Sequence, residues 1–249
     1  MTEIYSKIAY AKKVNKKLLA ILLDPDKIVW ETLENLIFKI NQSPATHVFI
    51  GGSQVYSDNI TKLITEVKRR CLLPVILFPG NPSQISAEAD GILFLSLISG
   101  RNPDYLIDLH VKAAPILKTT NLEVIPTGYI LVESGKVTAV EKVSGTKPLG
   151  RSNGKKILAT AQAGEFLGMK LIYLEAGSGA EVSISKEIVK LVSKNIDVPL
   201  IVGGGLKTRE GIDNAYNSGA DMVVIGTAFE NDHDFFDKII QNLEFESEK

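Results

Sequence analysis

Eight short apolar runs, spread over the whole chain and separated by longer stretches of helical period, constrain this sequence more than any other feature. They are LLAILLD (18–24), THVFIGG (46–52), PVILFPG (74–80), GILFLSLIS (91–99), VIPTGYILV (124–132), KLIYLEAG (170–177), PLIVGGG (199–205) and DMVVIGT (221–227). Near-continuous apolar character predicts strands covered on both faces, as in a parallel sheet. Between them, residues 28–41 put Ile28, Leu33, Leu36, Ile37 and Ile40 on one stripe, and 103–118, 155–168, 183–194 and 208–218 read the same way. Repeated βα units with right-handed crossovers leave two architectures, an open doubly wound sheet or a closed barrel. Eight units in 249 residues favour closure into an α/β fold, the (β/α)8 TIM barrel, and no GxGxxG opens the first unit as a dinucleotide-binding sheet would require.

Two places break the pattern. Residues 81–90 (NPSQISAEAD) are too few for a full crossover helix, so the third βα unit is expected to be modified. After the fifth strand, ESGKVTAVEKVSG (133–145) reads as a hairpin extension turning at Glu133, Ser134 and Gly135. No linker, low-complexity tract or repeat divides the chain, which predicts one domain over residues 1–249.

Composition narrows the function classes. With 28 basic against 29 acidic side chains the net charge is −1, so no strong field favours nucleic acid or an anionic membrane surface. A small phosphate stays open as a ligand, because backbone N–H groups can hold it. Cys71 is the single cysteine, which removes an intrachain disulfide and a thiolate zinc site; beside Leu72 and Leu73 it reads as a buried bystander in a reducing, cytoplasmic setting. The lysines near the N-terminus precede no signal-peptide core, and no apolar run reaches the ~18 residues of a membrane span.

In barrels of this class the chemistry sits where strands end and βα loops begin. The seventh strand ends in Gly203, Gly204 and Gly205, and the eighth in Gly226 and Thr227. Glycines admit a ligand close to the backbone, and the loops after strands seven and eight are the recurrent phosphate site of the fold; tight turns alone are the plainer explanation. The sixth strand ends YLEAGSG: alternation puts Tyr173 and Glu175 toward the barrel mouth and Ile172 and Leu174 toward the helices. A carboxylate in an apolar barrel needs a task or an ion-pair partner. The first strand ends at Asp24, which Pro25 holds extended; it reads as a ligand for an oxygen-loving ion such as magnesium, whereas Asp26 reads as a helix N-cap. Ser53 after the second strand could join that metal shell or cap the next helix. His47, His110 and His233 show no metal-ligand spacing and no support for a Ser-His-Asp triad.

With these motifs in hand, the sequence resembles the geranylgeranylglyceryl phosphate synthase family. The matching segments are LLDPDK (22–27), FIGGSQ (49–54), LFPG (77–80), FLSLISGRNPDYLI (94–107), PTGYILV (126–132), YLEAGSG (173–179), VGGGLKTREG (202–211) and VIGTAFE (224–230), in order over nearly the whole chain. The resemblance implies a magnesium-dependent prenyltransferase of ether-lipid synthesis that joins geranylgeranyl diphosphate to sn-glycerol 1-phosphate. Carried over residue by residue, it implies Asp24 and Ser53 as ligands of Mg2+. It implies a glycerol-phosphate grip from Tyr173, Leu174, Glu175, Ala176, Gly177, Ser178 and Gly179, with Gly204, Gly205, Gly226 and Thr227. Glu175 would be the base, beside Tyr173. Some members carry asparagine where this chain has Thr227, which keeps a donor hydroxyl. The resemblance also implies a homo-oligomer, a dimer or larger ring. A longer donor such as heptaprenyl diphosphate is the nearest alternative; a phosphosugar isomerase and a non-catalytic phosphometabolite-binding barrel are the others.

Overall fold

A computed structural model describes residues 3–52 and 59–226. The eight expected strands are all present: β1 (Leu18–Leu23), β2 (His47–Gly52), β3 (Val75–Pro79), β4 (Gly91–Leu97), β5 (Glu123–Leu131), β6 (Leu171–Glu175), β7 (Leu200–Gly203) and β8 (Met222–Ile225). Each pairs in parallel with the next, and β8 returns to β1 with Leu18 beside Met222 and Ile21 beside Ile225, closing the barrel.

The apolar runs are continuous because each strand has two buried faces. Ile172 and Leu174 of β6 join an outer core under the helices, while Leu171 and Tyr173 join an inner core with Phe49, Ile76, Leu93, Tyr129 and Ile201. The outer layer is supplied by α2 (Leu33–Gln42), α3 (Ile60–Arg70), α4 (Asp108–Leu117), α6 (Gly154–Phe166), α7 (Lys186–Ser193) and α8 (Arg209–Asn217). Cys71 is buried in that layer, and burial pushes its thiol pKa up, consistent with an inert side chain.

Several expectations need correction. The stretch 133–145 forms no hairpin; it folds into a loop and a short helix, α5 (Ala139–Ser144). Thr138 caps it by accepting the Glu141 N–H, and Gly145 ends it in the left-handed region at φ +63°. The T-x-x-E spacing of a capping box was present in the sequence. Asp26 caps no helix: a 3-10 turn at Trp30–Thr32 precedes α2, whose N-cap is Thr32, and Asp26 instead donates its N–H to Asp24 Oδ1 at 3.2 Å. A helix absent from the sequence reading, α1 (Ile4–Lys13), lies across the N-terminal end of the barrel. Its buried residues Ile4, Ile8 and Ala11 belong to the inner core, and Glu123 at the start of β5 accepts the N–H groups of Ile4 and Tyr5 at 2.6 and 2.8 Å.

The third βα unit is modified as expected. Between β3 and β4 stands only a 3-10 turn, Pro82–Gln84, where a full helix would cover the barrel. Asn81 caps this turn, and the buried Gln84 accepts from Gly80 N–H and donates to the Gly52 carbonyl, bracing the ends of β2 and β3.

Candidate active site

The carboxylate of Glu175 is the chemical centre of the barrel mouth. As the last residue of β6 it is only 6% exposed, and no cation pairs with it among the described residues. Its Oε1 accepts the Gly177 N–H at 2.6 Å, a bond that favours the charged form. Burial acts the other way and dominates, pushing the pKa up to about 7. Glu175 is therefore a carboxylate poised to exchange a proton near neutrality.

Aromatic rings beneath it supply the dry environment. Tyr173 lies with its ring 5.3 Å from Tyr129 and 5.5 Å from Phe78, and Phe78 stacks on Phe49 at 6.3 Å. The Tyr173 hydroxyl is fully buried and lies close enough to Glu175 for the carboxylate, after desolvation, to raise its pKa, yet it makes no well-formed hydrogen bond. A ligand hydroxyl entering here would meet the Tyr173 oxygen and the Glu175 carboxylate together.

The glycines beside Glu175 have a more specific reason than turn formation. A Cβ on Gly203 would lie 2.3 Å from the Tyr173 hydroxyl and 2.8 Å from Glu175 Oε2, so both side chains pass directly over that backbone. Gly204 and Gly205 have φ of +80° and +69°, and Gly205 packs against Ser183 and Ala180 of the β6 loop. In that loop Gly177 (φ +97°) fits under Thr138, while Ser178 is exposed. Gly226 follows β8 in ordinary contact with Leu22.

Not every expected grip residue offers a side chain or amide. Leu174 faces the helices, so only its backbone could serve a ligand, and the Ala176 N–H is already donated to the Gly203 carbonyl at 3.1 Å. Ser53 and Thr227 lie outside the described residues. Asp24 directly follows β1, on another side of the mouth. Its Oδ2 is 2.8 Å from Lys27 Nζ and would be 3.4 Å from a Cβ on Gly52, so the carboxylate looks onto the end of β2. Among the described residues no three His, Cys, Asp or Glu side chains cluster to hold a metal. One carboxylate is a donor set that fits magnesium, which is commonly bound by one or two carboxylates together with substrate phosphates.

An apolar groove, expected for the prenyl chain but with no residues assigned to it from the sequence, completes the site. This open groove is lined by Gly52, Phe78 and Tyr129, by Phe94 and Tyr105, and by His110 and Ala113 of α4. The short 3-10 turn of the third unit leaves Asn81, Pro82 and Ile85 along one edge. The walls are almost wholly apolar. His110 meets Ser96 Oγ at 3.1 Å and Phe94 edge-on at 4.5 Å, and burial lowers its pKa. The one hint in the sequence was the shortened 81–90 segment.

Fold and site together define a class: a (β/α)8 barrel with a buried carboxylate between glycine-rich loops and an apolar groove. Within that class the chain belongs to the PcrB family, whose model matches residues 12–244. A geranylgeranylglyceryl phosphate synthase from Flavobacterium johnsoniae is 64% identical over 237 residues, covering 95% of this chain and 98% of that protein. One from Zunongwangia profunda is 48% identical over 231 residues, covering 93% and 98%. The crystal structure of (S)-3-O-geranylgeranylglyceryl phosphate synthase from Thermoplasma acidophilum in complex with substrate sn-glycerol-1-phosphate superposes with a TM-score of 0.90 at 30% identity, covering 97% of each chain.

Proposed function

We propose that this chain is a prenyltransferase that joins geranylgeranyl diphosphate to sn-glycerol 1-phosphate, forming geranylgeranylglyceryl phosphate and releasing diphosphate. The observation that carries the reading is the meeting of three features at one mouth. Glu175 stands above Tyr173; the ring of Tyr173 touches Phe78 and Tyr129, which line the groove; and Gly52 of the groove faces Asp24. An apolar tail in the groove would thus bring its diphosphate toward Asp24 and its allylic carbon toward Glu175.

In the reaction the glycerol hydroxyl gives its proton to the Glu175 carboxylate while its oxygen bonds to the allylic carbon. The bond from that carbon to diphosphate breaks, and diphosphate leaves with the electron pair. A base with a pKa near 7 suits this transfer. Tyr173 orients the same hydroxyl through its oxygen, which lies beside the Glu175 carboxylate. The loops carrying Gly177 to Gly179, Gly204, Gly205, Gly226 and Thr227 fix the phosphate and so position the nucleophile. Asp24, with Ser53, would hold Mg2+, which supplies charge stabilisation for the departing diphosphate.

The same reading takes residues 1–249 as one catalytic domain working in the cytoplasm as a homo-oligomer. No helix among the described residues is long and apolar enough to cross a membrane. The test of the reaction is incubation with labelled sn-glycerol 1-phosphate, geranylgeranyl diphosphate and magnesium, followed by organic extraction. A lipid-soluble phosphate is expected; its absence with a folded protein overturns the reading. The donor assay distinguishes a non-catalytic binder, which would retain glycerol phosphate and make no lipid.

A further inference from the structure

Lys136 lies against the β6 loop without a partner among the described residues. Lys136 sits exposed in the loop between β5 and α5, and its side chain crosses Gly179, where a Cβ would lie 3.2 Å from Nζ and 3.8 Å from Cε. Gly179, at φ +68°, thus serves two ends: it makes the turn and leaves the lysine room. Among the described residues the Lys136 ammonium forms no hydrogen bond or ion pair.

The loop that carries it is held from both sides. Thr138 is buried, with its methyl packed on Gly177, and Ser134 is buried and accepts the Val182 N–H at 3.4 Å. Arg151 ties the two loops together, donating from Nη1 to the carbonyls of Glu133 at 3.3 Å and Ser183 at 2.8 Å. Its charge is thereby committed to backbone, whereas that of Lys136 is not.

The proposed reaction gives such a charge a use. A phosphate dianion would bind beside Glu175, which must itself be ionised to take a proton, and each negative charge opposes the other. Backbone N–H groups bring partial charges only. We propose that Lys136 supplies the cation that grips the phosphate of the glycerol phosphate acceptor, so the β5 loop is a fourth wall of the phosphate site beside those after β6, β7 and β8. This rests on the reaction proposed above and names a binding residue within it.

The experiment is calorimetric titration of the full chain with sn-glycerol 1-phosphate, together with steady-state kinetics, for wild type, K136M, K136R and K136E. K136M is expected to weaken glycerol phosphate binding and raise its KM roughly tenfold, with kcat and the KM for geranylgeranyl diphosphate little changed. K136R restores most of the affinity, and K136E loses more than K136M. Equal affinity in wild type and K136M, with the wild type binding normally, overturns the assignment alone. A rise confined to the KM for the prenyl diphosphate also overturns it, giving the lysine to the leaving group. A folded wild type that binds no glycerol phosphate overturns the proposed reaction and the assignment together.

Discussion

The backbone of Gly204 and the carboxylate of Glu175 adjoin so closely that nothing larger than hydrogen fits between them. A Cβ on Gly204 would stand 2.3 Å from Glu175 Oε1 and 2.7 Å from the Gly177 nitrogen that donates to that same oxygen. One glycine in the β7 loop therefore keeps the base of the β6 strand in position.

It follows that Gly204→Ala is a lesion of the base before it is a lesion of the phosphate loop. At φ +80° an added side chain is strained, and the clash would push the carboxylate off its Gly177 hydrogen bond. Turnover is expected to fall at least tenfold and stability by about 1–3 kcal/mol, with glycerol phosphate affinity changing less than turnover. Calorimetry beside steady-state kinetics checks this; a loss of affinity with unaltered kcat would assign Gly204 to the phosphate alone.

Glu175→Gln separates chemistry from stability. Removing the base is expected to lower turnover by about 10²–10⁴-fold while glycerol phosphate still binds. The folded-state pKa of about 7 lies above the ordinary 4.5, so the wild type is most stable with the proton on and loses stability as pH rises from 4.5 through 7. That loss is about 3 kcal/mol, and the glutamine variant avoids it. Its Tm should exceed that of wild type at pH 8 and match it more nearly at pH 4.5. Equal differences at both pH values would show that Glu175 is not held protonated by burial.

Asp24→Asn is expected to raise the magnesium concentration for half-maximal activity and to weaken prenyl diphosphate binding. Asp26→Asn, at an exposed position, should leave both unchanged. The reverse pattern in a magnesium titration would transfer the metal site to Asp26.

The groove sets donor length by depth. Each methylene buried there contributes only ~0.8 kcal/mol, so preference among donors is graded. Ala113→Phe narrows the groove on the α4 wall and should shift preference from the twenty-carbon toward the fifteen-carbon donor, read by mass in a competition assay. The choice between glycerol phosphate enantiomers, governed at the other end of the site, should stay strongly in favour of the 1-phosphate. Equal use of both enantiomers would refute the grip.

Much of this was legible in order of residues. Eight runs became eight strands because apolar continuity reports burial on both faces, and the parity of Tyr173 and Glu175 held because a strand alternates without exception over five residues. What escaped the sequence was long-range. The reason for glycine at 203 and 204 is side-chain volume arriving from β6, some thirty residues earlier, and the groove needs β3, β4 and α4 assembled around a helix that is absent. Helix α5 escaped differently: Thr138 and Glu141 carried its start signal, but the preceding Glu133–Ser134–Gly135 looked like a stronger turn.

Helix α1 has a reach that its position conceals. It closes the end of the barrel opposite the mouth, and its Ile4 and Ile8 belong to the same inner core as Phe49, Tyr129 and Tyr173. That column is the dry medium in which Glu175 keeps its proton near neutrality. Residue 4 and the tyrosine beneath residue 175 thus stand at opposite ends of one apolar column. Loosening the stopper, by cutting the Glu123 clasp on its first turn, would admit water from below and let the carboxylate drift back toward an ordinary acid.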